Sequence, residues 1–240
     1  MRVEPEPSAL SWTLDAEGNS VAWALFYELT DSLLVETQVE VETLRSNPFD
    51  FLLPDASIRL PLAHSDAEAT ILAPYLASNG LAPPPVAAFA QRCAEQADWN
   101  PQSFVGVLAS SIQREIVYEI RELGGAHAPE KTLAQGRGAC RDLSELFVAC
   151  CRAEGLAARF VSGYQQPDPE HPRHYMHAWA EAYLPGGGWR GFDPTNGLAV
   201  ADTHVAVAAS ASAEGAAAIS GTFRGTGASS EITTDVSIEV

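Results

Sequence analysis

Basic residues are scarce: 14 Lys and Arg stand against 31 Asp and Glu, a formal net charge of −17 over 240 residues. A chain so acidic is repelled by nucleic acid and by anionic membrane surfaces, which excludes both as partners. Cysteine is sparse as well. Cys93, Cys140, Cys150 and Cys151 are the full set, and no two of them form a metal-binding pair. Cys150 and Cys151 are adjacent and do not readily bridge each other on a helix. No apolar run is long enough to span a bilayer, and Met1–Pro5 holds no apolar signal core. A cytoplasmic, reducing setting is therefore expected, one that suits a free thiol. An internal repeat and an acidic Asp-x-Asp-x-Asp-Gly loop are also missing, so neither a repeat array nor calcium control is expected. What remains is ordinary globular composition, 46% hydrophobic and 19% charged, enough for a sizeable core in one large or two modest domains.

The most informative stretch runs from Gly136 to Leu143, Gly-Arg-Gly-Ala-Cys-Arg-Asp-Leu. A glycine-bracketed turn delivers Cys140 to what reads as a helix. Leu143, Leu146, Phe147, Cys150 and Cys151 recur at helical spacing, and Gly155 stands just past the end. Cys140 is thus predicted in the first turn of a buried helix, where unpaired N–H groups and the aligned peptide dipoles favour thiolate over thiol. The two glycines are expected to let the backbone approach whatever docks on the sulfur.

A thiolate needs a base and an orienting group. His177 opens His-Ala-Trp-Ala-Glu-Ala-Tyr-Leu, a run of period two, and Asp193 closes Trp189–Asp193. Pro185-Gly186-Gly187-Gly188 lies between them and reads as a hairpin loop. In an antiparallel hairpin the start of one strand lies beside the end of the next, so His177 and Asp193 are predicted neighbours. Cys140, His177 and Asp193 then make a nucleophile, a base and an orienter.

Three motifs carry a family resemblance: Gly138-x-Cys-Arg-Asp142, His177-Ala-Trp-x-Glu181, and Gly188-Trp-x-x-Phe-Asp-Pro-Thr-Asn196. In this order and spacing they resemble the transglutaminase-like superfamily, specifically its bacterial branch. Arg159–Tyr164 matches the strand between the first two motifs, and the likeness runs from about Ile112 to Asn196. The resemblance implies a papain-like core and a thioester mechanism. Cys140 attacks a carboxamide carbonyl, its backbone N–H donates to the oxyanion, and the acyl group passes to an amine or to water. It implies a second oxyanion donor from an upstream residue, which the sequence does not identify. Arg141 and Asp142 belong to the first motif; their plainer reading is helix-start electrostatics, with Asp142 set against the dipole. Trp179 is read as core or cross-strand packing, with a cleft wall as the alternative. Asn196 either caps the turn after Asp193 or steadies the triad.

Elsewhere the chain reads as follows. Ser11–Leu14 and Val21–Tyr27 are strands flanking the turn Asp15–Asn19, and Ser32–Glu42 alternates as a third. The family often has a β domain here with a comparable Asp…Gly-Asn turn, and this chain is expected to begin partway through it. The exposed sheet edge would be covered by a partner or a second copy. Asn47–Pro61 reads as a linker with three prolines. Helices are predicted over Val86–Ala94 and over Phe104–Tyr118 with Ser103 as N-cap, and a short helical turn over Thr132–Gln135. Glu122–Lys131 reads as a loop. Beyond Asn196 the stretch Ala199–Ala218 is alanine-rich, and Ser210–Glu214 stands where the family often has Gly-Arg-Asp. Ser220–Gly225 matches a family strand, and Glu231–Val240 reads as a closing one.

The expected architecture is α+β. A small β domain that resembles an incomplete sandwich covers 1–70, the transglutaminase-like core 71–200, and C-terminal strands completing its sheet 201–240. The expected function is cysteine-dependent acyl transfer on peptide or amide bonds, with a peptide or protein as substrate. Hydrolysis by a peptidase or amidase competes with glutamine–lysine cross-linking, and a non-catalytic peptide-binding module on the same fold is the rival from another class. No cofactor is expected. His171, His174 and His177 together suggest a metal, but Pro172 and the loop context favour a solvated loop, and no metal is expected either. Cys93, Cys150 and Cys151 read as packing, and His64 and His127 as surface residues.

Overall fold

The protein, represented by a computed structural model, is described for residues 1–52, 57–77, 82–121, 123–166, 176–227 and 229–239. It divides into two units, Met1–Leu44 and Arg45–Val240. The division falls well before residue 70, so residues 45–70 go with the larger unit. His171 and His174 lie outside the described residues.

The first unit holds β1 (Arg2–Glu4), β2 (Ala9–Leu14), β3 (Ser20–Leu25) and β4 (Leu34–Glu36). β1 pairs with β4 and β2 with β3, both antiparallel. The expected turn is there: the Asp15 carboxylate accepts from the amides of Glu17 and Asn19 at 2.9 and 2.8 Å and from the Asn19 side chain at 2.8 Å. Gly18 takes the left-handed φ of +86° that the turn requires. The strand expected over Ser32–Glu42 shortens to three residues. Alternation alone does not hold a strand beyond its paired neighbour, and β1 is itself three residues long.

The second unit begins with α1 (Asp66–Leu76), α2 (Pro84–Gln96) and α3 (Pro101–Glu115). Next come β5 (Val117–Tyr118), α4 (Pro129–Gln135), β6 (Arg137–Gly138) and α5 (Cys140–Ala153). The sheet follows: β7 (Ala158–Gln165), β8 (Met176–Leu184), β9 (Gly188–Asp193), β10 (Leu198–Ala199) and β11 (His204–Ser210). Its strand order is β10-β9-β8-β7-β11, antiparallel throughout, and β5 pairs with β6 in parallel. The α+β core with a helix laid on an antiparallel sheet is as expected.

Several local expectations change. Ser103 is not the cap of α3; Asn100 is, its side chain accepting from the Ser103 amide at 2.9 Å, which places Pro101 and Gln102 inside the first turn. α1 stands in a stretch with no predicted element, and a capping box between Ser65 and Glu68 starts it. The end of the supposed linker is tied down, with Leu60 buried and its amide donating to the Trp99 carbonyl at 2.8 Å. Neither Ser220–Gly225 nor Glu231–Glu239 forms a strand. Phe223 and Ile232 are exposed there, so the alternation finds no face to bury. β11 instead completes the sheet, beside β7.

α5 is central because its apolar stripe is wholly buried. Leu143, Leu146, Phe147, Cys150 and Cys151 lie in one core with Phe104, Leu108 and Ile112 of α3 and with Ala180, Ala182, Leu184 and Phe192 of the sheet. Phe147 stacks on Phe192 with centroids 5.9 Å apart. Gly155 ends the helix at φ +70°, and the Leu156 amide returns to the Cys151 carbonyl at 2.9 Å. Burying a stripe of this kind stabilises by roughly 1.5–3 kcal/mol per large side chain, which fixes Cys140 relative to the sheet.

Candidate active site

Cys140 is the first residue of α5, and what holds the chain just before it is Asp142. That carboxylate is fully buried. It accepts from Ala139 N at 2.8 Å, His127 N at 2.7 Å and Arg121 Nη2 at 2.5 Å. Burial would raise its pKa, but the bonds from Arg121, His127 and Ala139 hold it below the usual carboxylate range. Arg141, partly buried, donates to the Leu123 carbonyl at 3.0 Å. The pair therefore does more than complement the helix dipole: Asp142 pins three separate segments around the cysteine. His127, read as a surface residue, is part of that anchorage through its backbone. The glycines have a local role in this anchorage. Gly136 supplies a φ of +61° at the end of α4. A Cβ on Gly138 would sit 2.9 Å from Asp142 Cβ and 3.2 Å from Thr132 Cγ2, so this glycine serves the anchor rather than a docking ligand.

Beside the half-buried Cys140 thiol stand the His177 imidazole and the backbone N–H of Ala178, both of which favour the thiolate. Burial pushes the thiol up, but the hydrogen bond and charge of His177, the Ala178 N–H and the Arg141 charge outweigh it, and the pKa falls below its ordinary value. His177 stands near the start of β8, opposite Gly163 of β7. Its Nε2 lies 2.8 Å from Asp193 Oδ2, which leaves Nδ1 for the sulfur. Burial would lower the imidazole pKa, yet the bonds to Asp193 and Cys140 raise it to about 10. The hairpin brings this about. Ala180 pairs with Phe192, so the next residue of β9, Asp193, stands diagonal to His177, close enough for the side chains to meet.

Asp193 is fully buried and crowded with donors. Oδ2 takes His177 Nε2, Asn196 Nδ2 at 2.7 Å and His204 Nε2 at 3.1 Å; Oδ1 takes the amides of Thr195 at 2.8 Å and Asn196 at 3.3 Å. Burial raises its pKa, and the hydrogen bonds from the two imidazoles and Asn196 pull it far below the usual range. Asn196 closes the turn through its amide and donates its side-chain N–H to the Asp193 carboxylate. Trp179 is 1% exposed, which makes it packing and not a cleft wall. Its ring lies beneath both histidines, 6.3 Å from the centroid of His177 and 5.1 Å from that of His204.

His204 is the residue that sequence reasoning missed. It opens β11, outside all three motifs, and its only signal is a histidine heading the apolar alternation His-Val-Ala-Val. The alanine-rich stretch that follows also belongs to the site. Ala216 is buried with Phe160 and Ala178, and Cys140, Ala208 and Ala213 pack against them. Among the described residues His177, Asp193 and His204 offer polar atoms within 4.8 Å of one another. Those atoms are already committed to one another: both Nε2 atoms and the Asn196 amide converge on a single carboxylate oxygen, the donor set of a hydrogen-bonded anion. The remaining cysteines are scaffold. Cys93, Cys150 and Cys151 are buried, and burial pushes all three thiols up.

Known proteins resemble this chain in sequence and fold. The family model for the transglutaminase-like superfamily matches residues 87–194. An uncharacterized protein of Mycobacterium tuberculosis is 34% identical over 110 residues, 42% of this chain and 35% of that one. A protein-glutamine gamma-glutamyltransferase of Pseudomonas aeruginosa is 31% identical over 110 residues, 42% of this chain and 16% of that enzyme. The chain thus spans about a third or less of the length of these two relatives. A crystal structure of a provisionally assigned cysteine protease from Cytophaga hutchinsonii shares the fold at 19% identity, with a TM-score of 0.58, over 90% of this chain and 71% of that one. Among the described residues no helix is long and apolar enough to cross a membrane. Residues 87–194, a little under half of the chain, are thus similar to the core of the transglutaminase-like superfamily.

Proposed function

We propose that the protein is a cysteine-dependent acyl transferase acting on carboxamides of a peptide or protein substrate. The observation that carries this reading is the pairing of Cys140 with a His177 ring whose Nε2 is held 2.8 Å from Asp193 Oδ2, an arrangement that favours thiolate and imidazolium together. That combination is a thiolate–imidazolium pair, the resting state of a cysteine nucleophile.

The thiolate attacks the carbonyl carbon of R–CO–NH₂, and the backbone N–H of Cys140 at the α5 terminus donates to the developing oxyanion. The His177 imidazolium gives its proton to the departing nitrogen, which leaves as ammonia, and a thioester R–CO–S–Cys140 remains. Neutral His177 then takes a proton from an incoming amine or water, whose nitrogen or oxygen replaces the sulfur. Asp193 holds the ring and stabilises its charged form without accepting the proton itself. Cross-linking and hydrolysis share every step up to the thioester. The likeness to a protein-glutamine gamma-glutamyltransferase supports the carboxamide as acyl donor.

The test is the alkylation rate of Cys140 by iodoacetamide across pH, in the parent protein and in His177→Ala. The proposal expects fast labelling that persists below neutrality in the parent and loses that advantage in the variant. Equal, slow labelling of both, rising only near pH 9, would leave Cys140 a scaffold cysteine.

A further inference from the structure

We propose that His204 is a positioning residue for this chemistry: it shares the Asp193 carboxylate oxygen with His177 and so limits the negative charge that His177 meets. The inference rests on Cys140 and His177 being the nucleophile and base proposed above.

The geometry is specific. His204 Nε2 lies 3.1 Å from Asp193 Oδ2, the same oxygen that His177 Nε2 contacts at 2.8 Å. The His204 side chain is fully buried, at the head of β11, so no water competes for that bond. A nitrogen facing a carboxylate carries the proton, and Thr203 Oγ1, 3.0 Å from Nδ1, supplies the hydrogen that the other nitrogen accepts. Thr203 thereby fixes the ring as a donor to Asp193. The Trp179 and His204 rings pack in a T-shaped contact with centroids 5.1 Å apart. β11 is seated by Gly163, where a Cβ would lie 2.2 Å from the Val205 carbonyl oxygen and 2.5 Å from Trp179 Cη2. Among the described residues, the groups facing His177 are Cys140 from α5, Asp193 from β9 and His204 from β11, with Arg141 beside Cys140.

The consequence follows from competition for one anion. A carboxylate oxygen that serves several donors binds each less strongly than one that serves fewer. With His204 in place, the His177 imidazolium stays acid enough to surrender its proton to the leaving amine. Without it, Asp193 grips that proton harder.

The experiment measures the His177 imidazole titration by nitrogen-detected NMR in the full chain, comparing the parent with His204→Phe, His204→Gln and Thr203→Val. His204→Phe keeps a ring and removes the N–H, and the proton affinity of His177 should rise roughly three- to tenfold. His204→Gln puts an N–H back near the same place and should return the titration toward the parent value. Thr203 is exposed, so Thr203→Val leaves the fold intact while freeing the ring tautomer, and should shift His177 the same way by less. This readout does not need Cys140 to be reactive, so its failure is separate from that of the proposed function. An unchanged or lowered His177 affinity in folded His204→Phe would overturn the inference, as would the same shift in Phe and Gln variants. Should His204→Phe not fold, Thr203→Val decides alone: no shift there overturns it.

Discussion

Replacing Asp193 by Asn changes one oxygen for an NH₂ group and leaves the shape almost untouched. Its effect can be worked from the donors around it. Three N–H groups converge on Oδ2 and two on Oδ1. An amide has one acceptor oxygen, so whichever way it turns, at least two donors lose their acceptor and confront hydrogens instead. The Thr195 and Asn196 amides are only part-buried, so the loss of stability is about 1–3 kcal/mol if those two are the ones freed, and more if the Oδ2 donors are. The electrostatic loss points the same way. Raising His177 from 6.5 to about 10 corresponds to roughly 5 kcal/mol between its protonation states as an upper bound, much of it held by Asp193. The sign with pH is fixed. The raised imidazole contributes stability that is whole below pH 6.5 and is lost as pH climbs through about 10. The depressed carboxylate contributes stability that is whole above its unfolded pKa of about 3.9 and is lost on acidification. The gap in unfolding free energy between parent and Asp193→Asn should therefore be widest between about pH 4 and pH 6.5 and should narrow toward pH 10, where the imidazole contribution fades and the loss from unsatisfied donors remains. Urea unfolding at pH 5.5, 7.5 and 9.5 measures it. Acyl transfer in the variant should fall roughly 10²- to 10⁴-fold, the worth of a working general base. A pH-independent gap, or a variant that keeps the parent's alkylation below neutrality, would refute the reasoning.

Other outcomes follow from single contacts. Asp142→Ala strands Arg121 and the His127 and Ala139 amides, and should cost about 3–5 kcal/mol by denaturant unfolding. Gly163→Ala drives a methyl group into the Val205 carbonyl and Trp179, so it should lower stability by about 1–3 kcal/mol and slow Cys140 alkylation by displacing β11. Phe147→Ala, which removes the ring stacked on Phe192, should cost about 3–5 kcal/mol in the same assay. Native protein treated with iodoacetamide at pH 7 should label at Cys140 before any of Cys93, Cys150 and Cys151, as peptide mapping would show.

What could be read from the chain follows from how local the determinants are. The α5 stripe, the Asp15–Asn19 turn and the hairpin joining β8 to β9 are each encoded within about twenty residues, and spacing alone placed them. Cys140, His177 and Asp193 were found because the hairpin brings two of them together and the first turn of α5 presents the third. Asp142 was visible as a helix-start acid, but its partners Arg121 and His127 reach it from a preceding loop, and periodicity says nothing of such a meeting. His204 was hidden for the same reason: β11 joins the sheet beside β7, out of sequence order, and only that pairing sets it against Asp193. α1 escaped notice although Ser65 and Glu68 spell its cap, because only Leu72 of its residues is buried. The C-terminal alternation misled, since a pattern of period two names a strand only where an edge and an apolar face await it.

The most direct test is intact-mass spectrometry of the protein incubated with glutamine-containing peptides, with and without a primary amine, followed by mapping of Cys140. The account predicts a peptide adduct on Cys140, lighter by ammonia than the sum of its parts, absent in His177→Ala and discharged by the amine or by water. An unmodified Cys140 under all these conditions, in a protein whose thiol also alkylates slowly, would contradict it.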